Sequence, residues 1–347
     1  MAIALKNEID FYRYPPVGPE DWRYAYPTAR VRGLELTMIP RGTFVDMANA
    51  ASFAEAVELL AGTDYTIDAG ADSAQIEQML MARRTEARGM FADLMLDDEI
   101  VTFLRAREDF ANMRLAIRRI VTERPLGLDY SNEGNVPAEE FEEIFEQEYY
   151  ERLPGYLQEA VEAAVLGYYE SKDIRRIDHE IDRCEAKWRL EQAQEIENIF
   201  MMSIVRLRID LSNIRTLLRL KMAGREEETQ FFVPGGFVDV DKFKQGLGTG
   251  FEAMGQLFFA TPYYELLEGS ISYLRSEKSF LKLEKECDDY ITGFLKTTRS
   301  IAAGPQPVVA YFLMKEAEIR TVRMVLTGKK NGLSAKLILD RLGEWIQ

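Results

Sequence analysis

The sequence is poor in the residues that disulfide chemistry and most nucleophilic enzymes require. Among its 347 residues there are two cysteines and one histidine. Two cysteines cannot build a disulfide framework, and they fit a reducing compartment. A single histidine leaves one centre for a Ser-His-Asp or Cys-His arrangement, and no Gly-x-Ser-x-Gly motif is present. The composition therefore argues against an enzyme of the Ser-His-Asp or Cys-His type and against a disulfide framework.

Long apolar runs and nucleotide-binding loops are also missing. The longest uncharged run, Ser300 to Met314, has 15 residues, fewer than the roughly 20 that span a bilayer. No Gly-x-x-x-x-Gly-Lys-Ser/Thr motif occurs, and the glycines at 246, 248 and 250 lack dinucleotide-loop spacing. Acidic residues in the first ten positions argue against a signal peptide. We expect a soluble chain that binds no ATP through such a loop.

Basic residues are outnumbered by acidic ones. The chain has 43 Lys+Arg against 58 Asp+Glu, which gives a formal net charge of −15. Such a surface repels phosphate backbones, so general nucleic-acid binding is disfavoured. Adjacent acidic pairs, such as Asp97-Asp98, point apart on a helix and indicate solvated faces rather than catalytic dyads.

The one histidine, His179, begins a His-Glu pair that resembles the start of a zinc-protease helix. Position 183 is an arginine, so the second histidine ligand at i+4 is missing. Asp182 or Cys184 could still accompany His179 at a metal ion, but a solvated or capping histidine is the favoured interpretation. The Glu-x-x-His motif of di-iron bundles is absent, since residue 176 is also an arginine. We predict no catalytic residue, cofactor or metal site.

Helical periodicity dominates the chain, and alternating strand patterns are nearly absent. Apolar residues step by three and four through much of it, which indicates amphipathic helices. The segment Ser171–Ala223 has neither Gly nor Pro and predicts one extended helix or two nearly continuous ones. We expect a helix–turn–helix from Trp22 to Leu60 with its turn at Gly42, and an ordered loop over Phe231–Val238. The predicted fold class is all-α.

A motif at the end of one predicted helix recurs along the chain. The fullest copies have the order Asp-x-x-Asn-x-Arg, beginning at Asp109 and at Asp210. A third copy keeps the Ile-Arg-Thr core, and a fainter one lies near the N-terminus. Glycine-bearing breaks follow the copies, at Gly42, Gly134 and Gly236. The candidate residues are Arg30 and Arg32; Asn112 and Arg114; Asn213, Arg215 and Arg219; Glu318, Arg320 and Arg323.

The spacing of the copies suggests three units. Arg114 and Arg215 are 101 residues apart, Arg215 and Arg320 are 105 apart, and Arg30 precedes Arg114 by 84. This period is too long for a solenoid repeat of roughly 20–50 residues. We predict three similar helical subdomains, 1–105, 106–207 and 208–347, with the fourth copy closing the last one. Chance similarity among helix ends rich in Arg and Leu is the alternative.

The repeated arginines have two interpretations. Pairing with neighbours inside each unit is favoured, and a place at a partner surface is the alternative. Lys329, Lys330 and Arg299 are further candidates for acidic or lipid-facing contact, although an ordinary solvated role is favoured for them.

The same residues carry a resemblance to a known family. Asn213-Ile-Arg215-Thr, Glu318-Ile-Arg320-Thr, the Val233-Pro-Gly-Gly turn and the early Tyr-Pro-Thr-Ala-Arg30 resemble the C subunit of archaeal and bacterial V-type (A-type) rotary ATPases. That family is similar to the d subunit of the vacuolar ATPase. The likeness covers nearly the whole chain, and its first unit departs most, with Pro27 where the copies at Arg215 and Arg320 have good helix formers.

The resemblance implies three helical subdomains arranged with pseudo-threefold symmetry as a funnel. It further implies a peripheral, non-catalytic component on the cytoplasmic face of the membrane. Its partners would be the central-stalk shaft subunits and the membrane proteolipid ring, and its role would couple ATP hydrolysis or synthesis to proton or sodium transport. No cofactor and no direct ATP binding are implied. The rival interpretation is a soluble all-α scaffold unrelated to a membrane complex.

Overall fold

The computed structural model describes residues 9–122 and 130–343, and these residues form α-helices, turns and short 3₁₀ segments, with no β-strand. The all-α prediction is therefore confirmed. The helices are α1 Ala25–Glu35, α2 Arg41–Asn49, α3 Phe53–Glu58, α4 Ser73–Leu94, α5 Asp98–Val121, α6 Ala138–Glu146, α7 Gly155–Ser171, α8 Ile174–Glu195, α9 Ile199–Met222, α10 Val240–Gly248, α11 Phe251–Leu257, α12 Tyr264–Glu277, α13 Leu281–Lys296, α14 Pro305–Lys330 and α15 Ala335–Arg341.

These helices group into two compact units. One unit takes in Asp97–Thr249 and so contains α5 to α10. The other joins Asp10–Leu96 to the chain from Gly250 onward, so helices from both ends of the sequence share it. The division into three subdomains stays a prediction.

The unit formed by α5 to α10 is built around α8, which packs against α5, α7 and α9. Its apolar core includes Phe110, Phe141 and Ile181, none of which is exposed to solvent. Trp188 stacks on Tyr156 with ring centroids 4.6 Å apart, which extends the core along α8.

The other unit is built around α14, which packs against α4, α1, α2, α3 and α13. Phe91 on α4 stacks on Phe312 with ring centroids 4.5 Å apart. Residues 303–316 are all buried, so most of the long uncharged run lies in the core, and its part from Pro305 onward is helical. Pro305 begins α14 at a position where its missing N–H has no intrahelical partner to lose.

The Gly- and Pro-free segment 171–223 forms two helices, the second of the two predicted arrangements. Glu197 adopts a left-handed backbone with φ of 54° between α8 and α9. Asn198 then caps α9, because its side chain accepts a hydrogen bond of 3.0 Å from the Met201 N–H. A polar cap thus separates two helices whose apolar stripes are continuous in sequence.

The turn predicted at Gly42 was wrong in position. Gly42 is the second residue of α2, and the turn lies before Pro40, which is the N-cap of that helix. The helices α2, α6 and α10 each have nine residues, and a fully buried phenylalanine is the fourth residue of each: Phe44, Phe141 and Phe243. Burying such a side chain contributes roughly 1.5–3 kcal/mol.

Candidate functional site

The repeated motif lies in the middle of two long helices and faces inward. Asp109 in α5 and Asp210 in α9 are each the twelfth residue of a 24-residue helix. Asn112 and Asn213 follow three positions later, on the same helix face. All four side chains are at most 3% exposed. Buried polar groups at such positions need hydrogen-bond partners, and the following loop supplies them.

The two asparagines make the same pair of bonds. Asn112 donates from Nδ2 to the carbonyl of Ser131 and accepts from its N–H, both at 2.8 Å. Asn213 makes both bonds to Val233, again at 2.8 Å. Each amide therefore satisfies both backbone groups of one loop residue, as a neighbouring strand would.

The two aspartates hold the next few residues of the same loops. The Asp109 Oδ1 atom accepts from the N–H groups of Asn135 and Val136 at 2.8 and 3.0 Å. The Asp210 carboxylate accepts from the N–H groups of Phe237 and Val238 at 2.9 and 3.1 Å. We call Asp109 and Asn112 with their loop the first clasp, and Asp210 and Asn213 with theirs the second clasp.

A glycine in each loop makes this approach possible. A Cβ atom on Gly134 would lie 2.1 Å from Asp109 Oδ1, and one on Gly236 would lie 2.0 Å from Asp210 Oδ1. No real Cβ atom approaches an oxygen so closely, so any other residue would push the carboxylate away from the amides. The glycine-bearing breaks of the sequence are therefore explained at Gly134 and Gly236.

The two clasps differ in their remaining contacts. Asp109 Oδ2 also accepts from the Tyr156 hydroxyl at 2.8 Å and from Asn135 Nδ2 at 2.9 Å. Burial raises the pKa of Asp109 above its ordinary value, and these hydrogen bonds oppose the rise. In the second clasp, Arg206 donates to the Gly236 carbonyl at 2.9 Å and lies 4.1 Å from the Phe237 ring centroid.

The third long helix, α14, holds a loop with different side chains. Glu318 is 0% exposed, and its Oε2 accepts from the Ile39 N–H at 2.7 Å. Its Oε1 accepts from the Tyr65 hydroxyl and from Lys315 Nζ, each at 2.7 Å. Lys315 Nζ also lies 3.3 Å from Asp64 Oδ2. We call Lys315 and Glu318 with these partners the third clasp.

The third clasp takes its loops from the opposite end of the chain. Ile39 precedes α2 and Tyr65 precedes α4, whereas Glu318 lies near the C-terminal end of the sequence. Burial and the neighbouring Glu318 carboxylate both raise the pKa of Tyr65, so its hydroxyl stays protonated and donates.

Three of the candidate arginines have partners in their own units. Arg114 pairs with Asp178 and Asp182 of α8. Arg32 donates to the Thr298 carbonyl and to Glu35, each at 2.6 Å. Arg323 Nη2 lies 2.9 Å from Glu77 Oε2. The exposure of the other four differs: Arg30, Arg219 and Arg320 are exposed, and Arg215 is half-buried. For these four, the favoured pairing inside a unit stays a prediction, and a place at a partner surface stays the alternative.

Lys329, Lys330 and His179 contact residues of their own units. Lys329 donates to the carbonyls of Ala48 and Ala50 at the end of α2, and Lys330 donates to that of Ala71. Arg299 is exposed. His179 was expected to be solvated or capping, but it is 8% exposed and packs edge-on against Phe231 with ring centroids 5.2 Å apart. Burial lowers the pKa of His179 below its ordinary value.

Across residues 9–122 and 130–343, no three His, Cys, Asp or Glu side chains are grouped to hold a metal ion. None of the described helices is both long and apolar enough to cross a membrane.

Sequence analysis identified the helices that carry the clasps but missed part of the third one. The recurring Asp-x-x-Asn order and the glycines after it were visible signals for the first two. Lys315, Tyr65 and Ile39 carried no such signal, because neither their types nor their spacing repeat the other copies.

Known proteins resemble this chain along most of its length. The model of the ATP synthase (C/AC39) subunit family matches residues 27–341. The C subunit of the V-type sodium ATPase of Enterococcus hirae is 25% identical over 316 residues, covering 90% of this chain and 95% of that protein. The C subunit of the A-type ATP synthase of Thermococcus gammatolerans is 24% identical over 340 residues, covering 92% of this chain and 90% of that protein. The C subunit of the V-type ATP synthase of Thermus thermophilus is 24% identical over 320 residues, covering 88% of this chain and 94% of that protein.

The family match and the named relatives agree with the resemblance seen in the repeated motif. The chain belongs to the ATP synthase (C/AC39) subunit family and is a C subunit of the V/A-type ATPase.

Proposed function

We propose that this chain is the non-catalytic subunit that links the central-stalk shaft of a V/A-type rotary ATPase to the membrane proteolipid ring. Through this link, ATP hydrolysis or synthesis in the head would be coupled to proton or sodium transport at the ring. The subunit sits on the cytoplasmic face as a peripheral component and binds no ATP itself. Its three helical subdomains, 1–105, 106–207 and 208–347, form a funnel with pseudo-threefold symmetry.

The observation that carries the proposal is the family match over residues 27–341. The relatives from three organisms are named as C subunits of ion-translocating or ATP-synthesising complexes, and the chain covers at least 90% of each.

The clasps give the proposal a physical basis. A part that transmits torque must resist deformation, so its connecting loops need fixed positions on its helices. The first and second clasps each join a buried helix centre to a loop through at least four hydrogen bonds. Each bond contributes roughly 0.5–1.5 kcal/mol net, and removing a partner costs more.

The decisive test is affinity purification of the full-length chain from gently solubilised membranes, with the recovered proteins identified by mass spectrometry. We expect nucleotide-binding head subunits and the proteolipid to be recovered together. Recovery of the chain alone, or only with soluble proteins, would overturn the proposal in favour of the all-α scaffold.

A second test separates the two ends of the link. The purified chain is mixed with isolated proteolipid ring in detergent, and separately with isolated shaft subunits. Binding to both is expected; binding to neither, or to one alone, contradicts the proposed link.

The exposed repeat arginines can be tested in the same assay. If the alternative holds and these arginines face a partner, the double substitution Arg219→Ala and Arg320→Ala weakens binding to one of the two partners. The matched control is Arg83→Ala on α4, a partly exposed arginine outside the motif that pairs with Glu86. Equal binding by both variants would assign the repeat arginines a purely internal role.

A further inference from the structure

The negative charge of the chain is concentrated in one stretch. Between Glu133 and Glu170 there are eleven glutamates and one basic residue, Arg152. These glutamates account for most of the net charge of −15. The stretch contains α6 and α7, which lie in the same unit.

Few of these glutamates are neutralised. Arg152 pairs with Glu140 and Glu143, and Lys187 pairs with Glu159. Among described residues, no ion-pair partner is found for several others, all of them exposed: Glu146, Glu148, Glu162 and Glu170. The surface therefore keeps a strong negative potential, which raises the local concentration of positive partners.

Large apolar side chains lie exposed within this acidic surface. Leu166 is 57% exposed and Tyr169 is 63% exposed, and they are neighbours on the solvent face of α7 at positions i and i+3. Glu162 lies one turn before Leu166, and Glu170 lies one turn after it on the same face. We call these four residues the α7 stripe. Tyr149, in the connection from α6, is 52% exposed.

A cation of this chain already lies beside the α7 stripe. Lys172 directly follows α7, and its Nζ lies 4.3 Å from the Tyr169 ring centroid. A cation over a tyrosine face is attracted by the ring as well as by nearby carboxylates. An arginine or lysine from another protein would find both attractions here.

We propose that the α7 stripe is a docking surface for a basic amphipathic segment of another subunit of the assembly. Apolar side chains of the segment pack on Leu166 and Tyr169, and its Lys or Arg side chains face Glu162 and Glu170. This arrangement has the apolar centre and charged rim of protein interfaces. Because the acidic face repels anionic lipid, a protein segment and not the membrane is its partner. The inference rests on the proposed function, since it needs an assembly to supply the segment.

The direct test places a photo-crosslinking amino acid, p-benzoylphenylalanine, at position 169 of the full-length chain in the purified assembly. The control carries the same group at position 191, an exposed glutamate of α8 in the same unit. After irradiation, the attached peptides are identified by mass spectrometry. We expect position 169, and not 191, to capture a peptide of another subunit that carries net positive charge. Capture of lipid, of an acidic peptide or of nothing would overturn the inference.

A second test reverses the charge of the rim. Glu162→Lys with Glu170→Lys should lower recovery of the subunit identified at position 169 at least about tenfold, which corresponds to about 1.4 kcal/mol. The control, Glu191→Lys with Glu195→Lys, makes the same change in net charge on the exposed face of α8 and should alter recovery less than about twofold. Equal losses of recovery in both double variants would contradict a specific role for Glu162 and Glu170.

These outcomes separate the inference from the proposed function. Recovery of ring and shaft subunits without a crosslink at position 169 would overturn the inference and leave the proposed function standing. Failure of the unmodified chain to recover any ATPase subunit would overturn both.

Discussion

The third clasp pairs its buried carboxylate with a lysine, whereas the first and second clasps combine an aspartate with an asparagine. In the first two, an asparagine both donates to and accepts from a single loop residue. In the third, a glutamate stands near the matching place and a lysine three residues earlier neutralises it. Similar loop fixation is therefore reached by two chemistries, and they differ in what happens when one partner is removed.

The largest effect is expected at Glu318. Glu318→Gln keeps an acceptor for the Ile39 N–H but leaves the buried Lys315 without its main counterion, since Lys315 is only 6% exposed. Removing one partner of a buried ion pair costs about 3–5 kcal/mol. Chemical denaturation of the full-length variant should show a loss of that size in the unfolding transition of the unit that contains α14.

The double variant Lys315→Met with Glu318→Gln sharpens this prediction. With the cation gone, the amide is an adequate neighbour, so we expect at least about half of the lost stability to return. A double variant no more stable than Glu318→Gln alone would show that the ion pair is not what the third clasp depends on.

A smaller loss is expected at the asparagines. Asn213→Ala leaves the N–H and C=O of Val233 without the side chain that satisfies both, and each orphaned group costs about 1–3 kcal/mol. Asn112→Ala should cost less, because Ser131 is half-buried while Val233 is 6% exposed, and water can replace part of the lost bonding. Comparing the two variants by denaturation checks the ranking. Equal losses of stability would show that water does not replace the lost bonds at Ser131.

The glycines of the first two clasps should show a loss of about 1–3 kcal/mol when a methyl group is added. Gly134→Ala and Gly236→Ala each force a Cβ atom against an aspartate oxygen. Gly42→Ala is the matched control, because a Cβ there meets nothing within 4 Å and the position lies inside α2. That variant should be stabilised by about 0.5–1 kcal/mol, as Ala is favoured over Gly in a helix. If Gly236→Ala behaves like Gly42→Ala in thermal denaturation, the close approach does not constrain the second clasp.

Much of this comparison was visible in the sequence, and the reason is local. Asp109 with Asn112 and Asp210 with Asn213 repeat both type and spacing, and each pair is followed by a glycine after a similar interval. The burial of both pairs was not predicted and came from the structure. Fold class followed for the same reason, since apolar steps of three and four are a property of short segments.

The third clasp could not be predicted because its parts are distant in the chain and differ in chemistry. Glu318 meets Ile39 across 279 positions and Tyr65 across 253. No pattern in a single sequence marks such a pairing. The turn predicted at Gly42 was displaced because Pro40 is the N-cap of α2, so that Gly42 lies inside the helix. A glycine inside a helical pattern is easily taken for a turn.

The smallest loss of stability is expected at alkaline pH. It reports on Tyr65 separately from the other side chains of the third clasp. The pKa of Tyr65 is raised by burial and by Glu318, so its contribution to stability is complete below the unfolded value near 10. It is lost as pH rises above that value, because the unfolded chain ionises while the folded tyrosine does not. One pH unit above it, at about pH 11, the loss amounts to about 1.4 kcal/mol of the free energy of unfolding.

Two tyrosine variants test this pH dependence. In Tyr65→Phe the fall of unfolding free energy with pH that Tyr65 causes disappears, although the variant is less stable at every pH because the bond to Glu318 is lost. Tyr156→Phe in the first clasp should flatten the slope in the same direction, since burial also raises the pKa of Tyr156. Denaturation between pH 8 and 11 measures both slopes, and an unchanged slope in Tyr65→Phe would mean that the hydroxyl is more open to solvent than its 1% exposure implies.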